Sequence, residues 1–159
     1  MKFLLYLLRH KFWVFCFCAR HGLIWRGIVH DCDKLRPSLF FVYACNFEKV
    51  AKLRDKTGHY SPSATSPESQ YALLHHFHHA KHHWQHWILP SNTTVKALDM
   101  GETDVREMLC DWIGAGKARQ GKNWTRADVR NFYIKNRDKM TLSPKTIELI
   151  EKNLNSMDF

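Results

Sequence analysis

The sequence predicts one all-α domain, a single helical bundle that spans residues 1–159, and three observations lead to this prediction. Apolar residues recur at intervals of three and four in several segments, which is the period of an amphipathic helix. No segment shows the regular alternation of apolar and polar residues that marks a half-exposed strand. A length of 159 residues with 45% hydrophobic residues is enough for one packed core.

The N-terminal part of the chain is predicted to be helical. Residues 3–26 are expected to form one amphipathic helix or two abutting ones, with Gly22 as a point where it can end or bend. A second helix is expected to begin near Ile24 and to carry the dipeptide His30-Asp31 toward its end. The spacing of the first helix rests on Leu4, Leu7, Leu8, Phe12, Phe15 and Ala19.

The middle of the chain is predicted to hold two helices separated by one long loop. Pro37 opens the first of them, because proline is well tolerated in a first turn. Residues 55–69 are rich in Ser, Thr, Pro and Gly, which predicts a flexible loop that is either a lid or a passive connection. Ser66 resembles a helix cap, and the histidine-rich helix after it is predicted to run through Trp87 and to stop before Pro90.

Helices in the last third of the chain are predicted from their start signals. One is expected to begin near Thr103 and to extend past Trp112, after a polar stretch. The glycines within 114–116 allow either a close approach of two helices or a break. Two further helices are expected to start near Asn123 and Ser143.

The charge of the chain favours an anionic partner. Its 24 Lys and Arg outnumber 15 Asp and Glu, which gives a formal net charge of +9. A small phosphorylated substrate, a nucleotide and a nucleic acid all fit this charge, as does a merely soluble basic surface. The basic residues are dispersed and no known nucleic-acid motif is present, so a nucleic acid is the weaker of these partners.

Two features predict a cytoplasmic protein without a membrane span. The five cysteines lack the paired spacing of a zinc ribbon, and most lie in apolar surroundings, so they are expected to be reduced core thiols. Charged residues at positions 9–11 interrupt the N-terminal apolar run, which is too short for a signal peptide or a membrane helix. A short amphipathic contact with a membrane surface is the alternative.

Histidine is concentrated in one segment, and this predicts a metal site. Seven of the eleven histidines lie within residues 75–86. Histidine is the commonest metal-binding side chain, and burying an imidazole nitrogen without a partner costs roughly 1–3 kcal/mol. Packing alone would therefore rarely collect so many. The alternatives for some of them are hydrogen bonding behind the ligands or a solvated helix face.

The order of these residues resembles the ligand pattern of the HD superfamily of metal-dependent phosphohydrolases: a His, a His-Asp dipeptide, further His residues and a distant Asp. Segments such as Trp25 to Asp31 and Arg106 to Trp112 also look like an uncharacterised HD-like family of bacteria and phages. This resemblance implies an all-helical metallohydrolase fold. The metal ligands that it implies are His10, His30, Asp31, His76, His82, His83 and Asp111.

The ligand set leaves the number of ions open. His10, His30, Asp31 and Asp111 form a minimal mononuclear site, and the later histidines extend it to two ions. The resemblance implies that Asp31 bridges the two. Imidazole and carboxylate ligands suit Mn, Fe, Co, Ni or Zn, with Mg also possible. His21 competes with His10 as the first ligand.

The predicted reaction is hydrolysis of a phosphomonoester or phosphodiester of a nucleotide type, with Asp31, Lys34 and Asp111 as catalytic residues. Lys34 completes a His-Asp-x-x-Lys motif seen in phosphodiesterase branches of the superfamily, and Arg26 and Arg36 are further candidates to neutralise phosphate.

The rival functions are a non-catalytic nucleotide or nucleic-acid binding module, a structural metal protein and a di-iron oxygenase. Trp25, Trp84 and Trp112 are candidates to stack on a base, or are core residues. Two positions depart from the resembled patterns: Asp33, where Ser or Gly is usual, and Ala80, where Asn is frequent.

Overall fold

The computed structural model describes residues 2–157, which form seven α-helices, several short 3-10 turns and one hairpin. The helices are α1 (Lys2–Arg20), α2 (Ile24–Val29), α3 (Pro37–Lys52), α4 (Pro67–His79), α5 (Glu102–Gln120), α6 (Arg126–Asn136) and α7 (Pro144–Ser156). The strands β1 (Ile88–Pro90) and β2 (Val95–Ala97) pair antiparallel, with Ile88 opposite Ala97. The predicted all-α class is confirmed, although the expectation of no strand misses this hairpin of two three-residue strands.

Helices α1 and α5 pack along one another at the centre of the bundle. Helices α6 and α7 pack against α5, whereas α3 contacts both α1 and α4. The glycine segment of α5 makes a close approach rather than a break, because Gly114 lies directly against Val14 of α1. The buried core contains Val14, Phe17, Cys18, Met100, Val105, Met108, Leu109, Cys110, Ile113, Val129, Tyr133, Ile150, Leu154 and Met157.

The predicted inward face of α1 is largely wrong. Leu7 is buried as expected, but Leu8 and Phe12 are 53% and 58% exposed. The face that packs inward carries Phe3, Leu7, His10, Val14, Phe17 and Cys18. Helix α1 is apolar on most of its surface, so its residue spacing fits more than one face, and the position of α5 decides between them.

The starts of α4, α6 and α7 agree with the cap signals of the sequence. The Ser66 hydroxyl accepts a hydrogen bond from Ser69 N at 3.4 Å at the start of α4. The Ser143 hydroxyl does the same for Thr146 N at 3.2 Å at the start of α7. Thr125 forms a capping box with the third residue of α6. These bonds satisfy backbone donors that the first helical turn leaves free.

The histidine-rich helix is shorter than predicted. Helix α4 ends at His79, and the chain continues through a turn to a 3-10 turn over Trp84–Trp87. Two side chains hold this reversal: His86 Nδ1 lies 3.1 Å from the carbonyl oxygen of Phe77, and the Trp87 indole donates to the carbonyl of Lys81 at 2.8 Å. The reversal, rather than helical spacing, determines where the later histidines lie.

The predicted loop over 55–69 is anchored at its start. Asp55 Oδ1 accepts hydrogen bonds from the backbone N of Thr57 and of His59, at 2.8 and 3.1 Å. Lys139 donates to the other Asp55 oxygen at 2.8 Å, and the Thr57 hydroxyl donates to Asn136 at 2.8 Å. The loop therefore contacts the end of α6 and the turn after it, and a 3-10 turn over Pro62–Ala64 leads into α4.

The expectation that the cysteines are core thiols holds for only part of the set. Cys18 and Cys110 are buried, Cys16 is half-buried, and Cys32 and Cys45 are exposed. All five are free thiols, so the absence of disulfides agrees with the prediction. Among residues 2–157, the helices are too short or too polar to cross a membrane.

Replacing Gly114 with alanine is expected to lower the free energy of unfolding by about 1–3 kcal/mol. A Cβ at this position would lie 2.4 Å from Val14 Cγ2 and 3.0 Å from Val14 N, so α1 would have to move. In an open helix the same change raises stability by about 1 kcal/mol. Urea denaturation shows whether the free energy of unfolding falls or rises. A stabilised Gly114→Ala protein would contradict the close contact.

Candidate metal centre

All seven predicted metal ligands lie in one place, although four separate parts of the chain supply them. Helix α1 supplies His10, and α5 supplies Asp111 one turn before the close contact at Gly114. The turn after α2 supplies His30 and Asp31, and the end of α4 with the turn after it supplies the other three. Three overlapping groups could each hold an ion: Asp31 with His76, His82 and His83; His10 with His30 and Asp31; and His30 with His82 and Asp111.

Asp31 lies at the centre, and its two carboxylate oxygens face different histidines. Oδ2 is 3.1 Å from His10 Nε2 and 3.6 Å from His30 Nε2. Oδ1 is 3.3 Å from His76 Nε2 and 3.8 Å from His82 Nε2. A carboxylate in this arrangement can give one oxygen to each of two ions.

The group of His10, His30 and Asp31 forms a four-residue site together with Asp111. Asp111 Oδ1 is 3.2 Å from His10 Nε2 and 3.5 Å from His30 Nε2. Ligands that bind one ion at about 2.0–2.2 Å have donor atoms roughly 3 Å apart. The two imidazoles and two carboxylates therefore have the separations of a common ligand set.

The group of Asp31, His76, His82 and His83 combines one carboxylate with three imidazoles. His76 Nε2 and His83 Nε2 are 2.8 Å apart, a distance that requires a proton or a cation between their lone pairs. Burial lowers the pKa of His76 and holds that of His83 well below its usual range, so both rings are neutral. A neutral imidazole is the form that binds a metal ion.

Buried atoms without a hydrogen-bond partner test whether these residues fit a metal ion. His30 Nε2, His82 Nε2 and Asp31 Oδ1 are all buried and all lack a partner in the structure. Each such atom costs roughly 1–3 kcal/mol if it stays unsatisfied. Each of the three atoms belongs to a residue in at least one of the groups that could hold an ion, so bound cations would satisfy them. The residues therefore fit a metal.

Glu107 fixes the orientation of two of these rings, and the sequence analysis missed it. Its Oε1 lies 3.0 Å from His30 Nδ1 and 3.1 Å from His82 Nδ1. Burial opposes its ionisation, but bonds to both histidines lower its pKa to about 2, so each Nδ1 donates to a carboxylate. Each Nε2 is then the ring nitrogen that faces the centre of the site. A signal was present, because Glu107 precedes Asp111 by one helical turn on the same face.

Asp33, noted in the sequence as a departure from the expected motif, acts in the same way. Its Oδ2 accepts a hydrogen bond from His76 Nδ1 at 2.8 Å, which turns His76 Nε2 toward Asp31. Hydrogen bonding to His76 is also the main reason that the pKa of Asp33 is lowered against the effect of burial. The extra carboxylate is thus a support for a candidate ligand.

The predicted phosphate ligands Arg26 and Arg36 do not face the centre of the site. Arg26 donates to Asp104 at 2.7 Å and to Glu107 at 2.8 Å, so its charge is compensated behind the histidines. Arg36 is exposed, and its guanidinium is 3.4 Å from His75 Nε2. This geometry does not support the phosphate role predicted for either arginine.

The other predicted candidates also lie away from the ligands. His21 lies just after the end of α1, beside a surface cleft that Arg106 lines, and it belongs to none of the three groups. His10 is therefore the better first ligand. Trp25 is 73% exposed, whereas Trp84 and Trp112 pack against the core, which favours the core interpretation for the latter two.

The backbone at Asp31 is strained. Its φ of 56° is left-handed, and it is the one non-glycine residue with positive φ among residues 2–157. This conformation is uncommon for residues other than glycine and often marks a functional site. The Lys11 ammonium donates to the carbonyl of His30 and helps to hold the turn. The turn places His30 and Asp31 on the same site although they are adjacent in sequence.

The centre is acidic although the chain as a whole is basic. Burial would lower the pKa of His30, but the carboxylates of Asp31 and Asp111 raise it to about 10. A field that favours a proton this strongly also favours a metal cation. Five carboxylates surround the centre, those of Asp31, Asp33, Asp104, Glu107 and Asp111, whereas the described contacts place three cations there, Lys11, Arg26 and Lys34.

Asp31→Ala is expected to abolish metal binding and to leave a mostly helical fold, because the group around His10 and the group around His76 share this carboxylate. Elemental analysis of protein purified without a histidine tag measures the metal, and circular dichroism measures the fold. His78→Ala is the matched control, since His78 is exposed and outside the three groups, and it should keep its metal. Normal metal content in folded Asp31→Ala would reject the site.

Comparison with known proteins gives a family that covers nearly the whole chain. Residues 1–156 match the model of DUF5662, which is described as a family of unknown function. A search of curated proteins found no match, and a search of solved structures found none either. Because the match includes all the candidate ligands, the site lies within the family domain. This chain belongs to DUF5662, a family of unknown function.

Proposed function

We propose that this protein is a metal-dependent phosphohydrolase that cleaves a phosphate ester of a nucleotide type. The observation that carries the proposal is the position of Asp31, whose two oxygens face two separate sets of imidazoles. The resemblance of the ligand order to the HD superfamily supports the same reaction class. We propose two ions rather than one, since the groups around His10 and His76 each contain enough donors.

Divalent transition metals, namely Mn, Fe, Co, Ni or Zn, match the mixed imidazole and carboxylate donors, and Mg remains a candidate. His10, His30 and Asp111 would hold one ion, His76, His82 and His83 the other, with Asp31 shared between them. When bound, such ions lower the pKa of a water molecule toward neutrality and polarise a phosphoryl oxygen.

Lys34 is the side chain of the site best suited to meet the substrate. Its ammonium lies 2.8 Å from Asp31 Oδ2, and its side chain keeps about 20% of its surface exposed. Burial opposes protonation, but the charge of Asp31 raises the pKa of Lys34 above its ordinary value, so it stays cationic. A positive point charge at the edge of the centre can pair with a phosphate oxygen. The role of Lys34 in this proposal is to orient and neutralise that group.

The test is a panel of phosphate esters with separately added metals. Nucleoside monophosphates, cyclic nucleotides and dinucleotides are incubated with Mn, Co, Fe, Ni or Mg, and released product is measured. Hydrolysis is expected with at least one transition metal, and it should disappear with chelator and in His30→Ala. If every ester stays intact while a nucleotide binds tightly, the protein is a binding module instead. Uptake of oxygen by an iron-loaded form would indicate a di-iron oxygenase.

Lys34→Met is expected to reduce kcat/KM by about 100-fold or more without loss of metal, because the proposed partner of Lys34 is substrate phosphate. Kinetics on the best ester of the panel and elemental analysis of the same sample measure the two effects. Lys81→Met, at an exposed lysine outside the three ligand groups, is the control and should leave both unchanged. Loss of metal from Lys34→Met would instead make Lys34 a support of the ligands.

A further inference from the structure

A cluster of cationic and aromatic side chains adjoins the metal centre, and the sequence analysis did not identify it. Arg54 and Arg119 are its charged members, and Tyr6 and Tyr60 are its aromatic members; we call it the arginine–tyrosine cluster. Four different parts of the chain supply these residues: α1, the segment after α3, the 55–69 loop and the last turn of α5. The fold therefore assembles the cluster from distant positions, as it does the metal centre.

The cluster is continuous with the candidate ligands. The Tyr6 ring stacks on the His10 ring, with centroids 5.9 Å apart and planes 9° from parallel. The Arg119 guanidinium carbon is 5.8 Å from the Tyr6 ring, and that of Arg54 is 5.0 Å from the Tyr60 ring. One tyrosine ring thus links the Arg119 charge to a ligand of the metal centre.

Lys34 lies on another side of the metal centre, against the Tyr43 ring. Its ammonium lies 5.9 Å from the centre of the Tyr43 ring, and the Tyr43 hydroxyl donates to the carbonyl of Ala72. Burial raises the pKa of Tyr60, and the charges of Arg54 and Lys34 lie close enough to oppose this rise. The charges of Arg54 and Lys34 therefore both act on Tyr60.

Neither arginine of the cluster has a carboxylate partner among residues 2–157. Arg54 donates to the carbonyl of Gly58 at 2.7 Å, and Arg119 contacts the Tyr6 ring. Burial and the charge of Arg119 both lower the pKa of Arg54, so the two guanidinium groups are close enough to repel each other. Two cations without carboxylate partners favour binding of an anion near them.

We infer that the arginine–tyrosine cluster binds a second phosphate of the substrate, so that the substrate class is a nucleotide with at least two phosphate groups. Guanidinium groups form paired hydrogen bonds with phosphate oxygens, and two of them suit a group with several oxygens. The inference rests on the proposed function, which places the reacting phosphate at the metal ions and beside Lys34.

Arg119 is the better residue for the test. Arg54 shapes the loop through its bond to Gly58, so its replacement could act through the fold. Arg119 is exposed and has no such bond to the backbone among its described contacts. Arg20 is the matched control, because it is also an exposed arginine over an aromatic ring, 5.3 Å from that of Phe17. It lies 14 residues after Tyr6 on the same helix, which is about 21 Å along the axis.

The experiment titrates inorganic pyrophosphate into metal-loaded protein and follows binding by calorimetry. Arg119→Gln is expected to weaken binding by about tenfold, because it removes a charge-assisted bond. Arg119→Lys should retain most of the affinity, and Arg20→Gln should bind as the native protein does. All variants should keep their metal content and thermal unfolding midpoint. With nucleotides that the protein hydrolyses, Arg119→Gln should raise the KM for a nucleoside diphosphate more than the KM for the matching monophosphate.

The outcomes separate this inference from the proposed function. Equal binding of pyrophosphate to native protein and Arg119→Gln would overturn the inference, even if the protein hydrolyses phosphate esters. An equal loss in Arg20→Gln would also overturn it, because general charge would then explain the effect. If no ester is hydrolysed but Arg119→Gln alone weakens pyrophosphate binding, the phosphate site stands and the hydrolase proposal fails.

Discussion

The burial of ionised carboxylates is the constraint on which the rest of this structure depends. Asp31 is 4% exposed and has a left-handed backbone, and burial opposes its negative charge. A buried charge is tolerated only when it is paired or binds a metal. Lys34 supplies one positive neighbour, and the histidines around Asp31 supply lone pairs that require a cation. The acidic centre of this basic protein therefore has the residues that could hold a metal ion.

Close helix packing is what gives the centre its dimensions. His10 and Asp111 belong to α1 and α5, and the absence of a side chain at Gly114 lets the two helices meet one turn away. His10 Nε2 and Asp111 Oδ1 are 3.2 Å apart as a result. Core packing is dense and transmits strain, so a shift of α1 would change this distance directly. The stability of the core and the geometry of the ligands are thus set by the same contact.

The charged residues around the site fall into two sets. Glu107 and Asp33 hold the rings of the histidines, and Arg26 compensates Glu107, so these charges are used within the protein. Lys34 and the arginine–tyrosine cluster, by contrast, hold positive charge with few carboxylate partners. An anionic substrate would therefore find attraction on the side where the cluster lies. This division of charge separates the acidic candidate metal centre from the basic region that we propose to bind substrate.

The sequence by itself determined the all-α class, the helix starts at Ser66 and Ser143, and, through the resemblance of their order to a known ligand pattern, seven of the residues around the centre. Local signals suffice for these, because a cap acts within one turn and the order of chemically distinctive ligands survives in the linear chain. The tertiary structure alone decided which face of α1 is buried and where α4 ends. Helix α1 is apolar on several faces, and contacts between distant residues stabilise the turn after His79. Such features depend on which residues lie nearby in space, and for the same reason the sequence did not reveal the role of Glu107 or the arginine–tyrosine cluster.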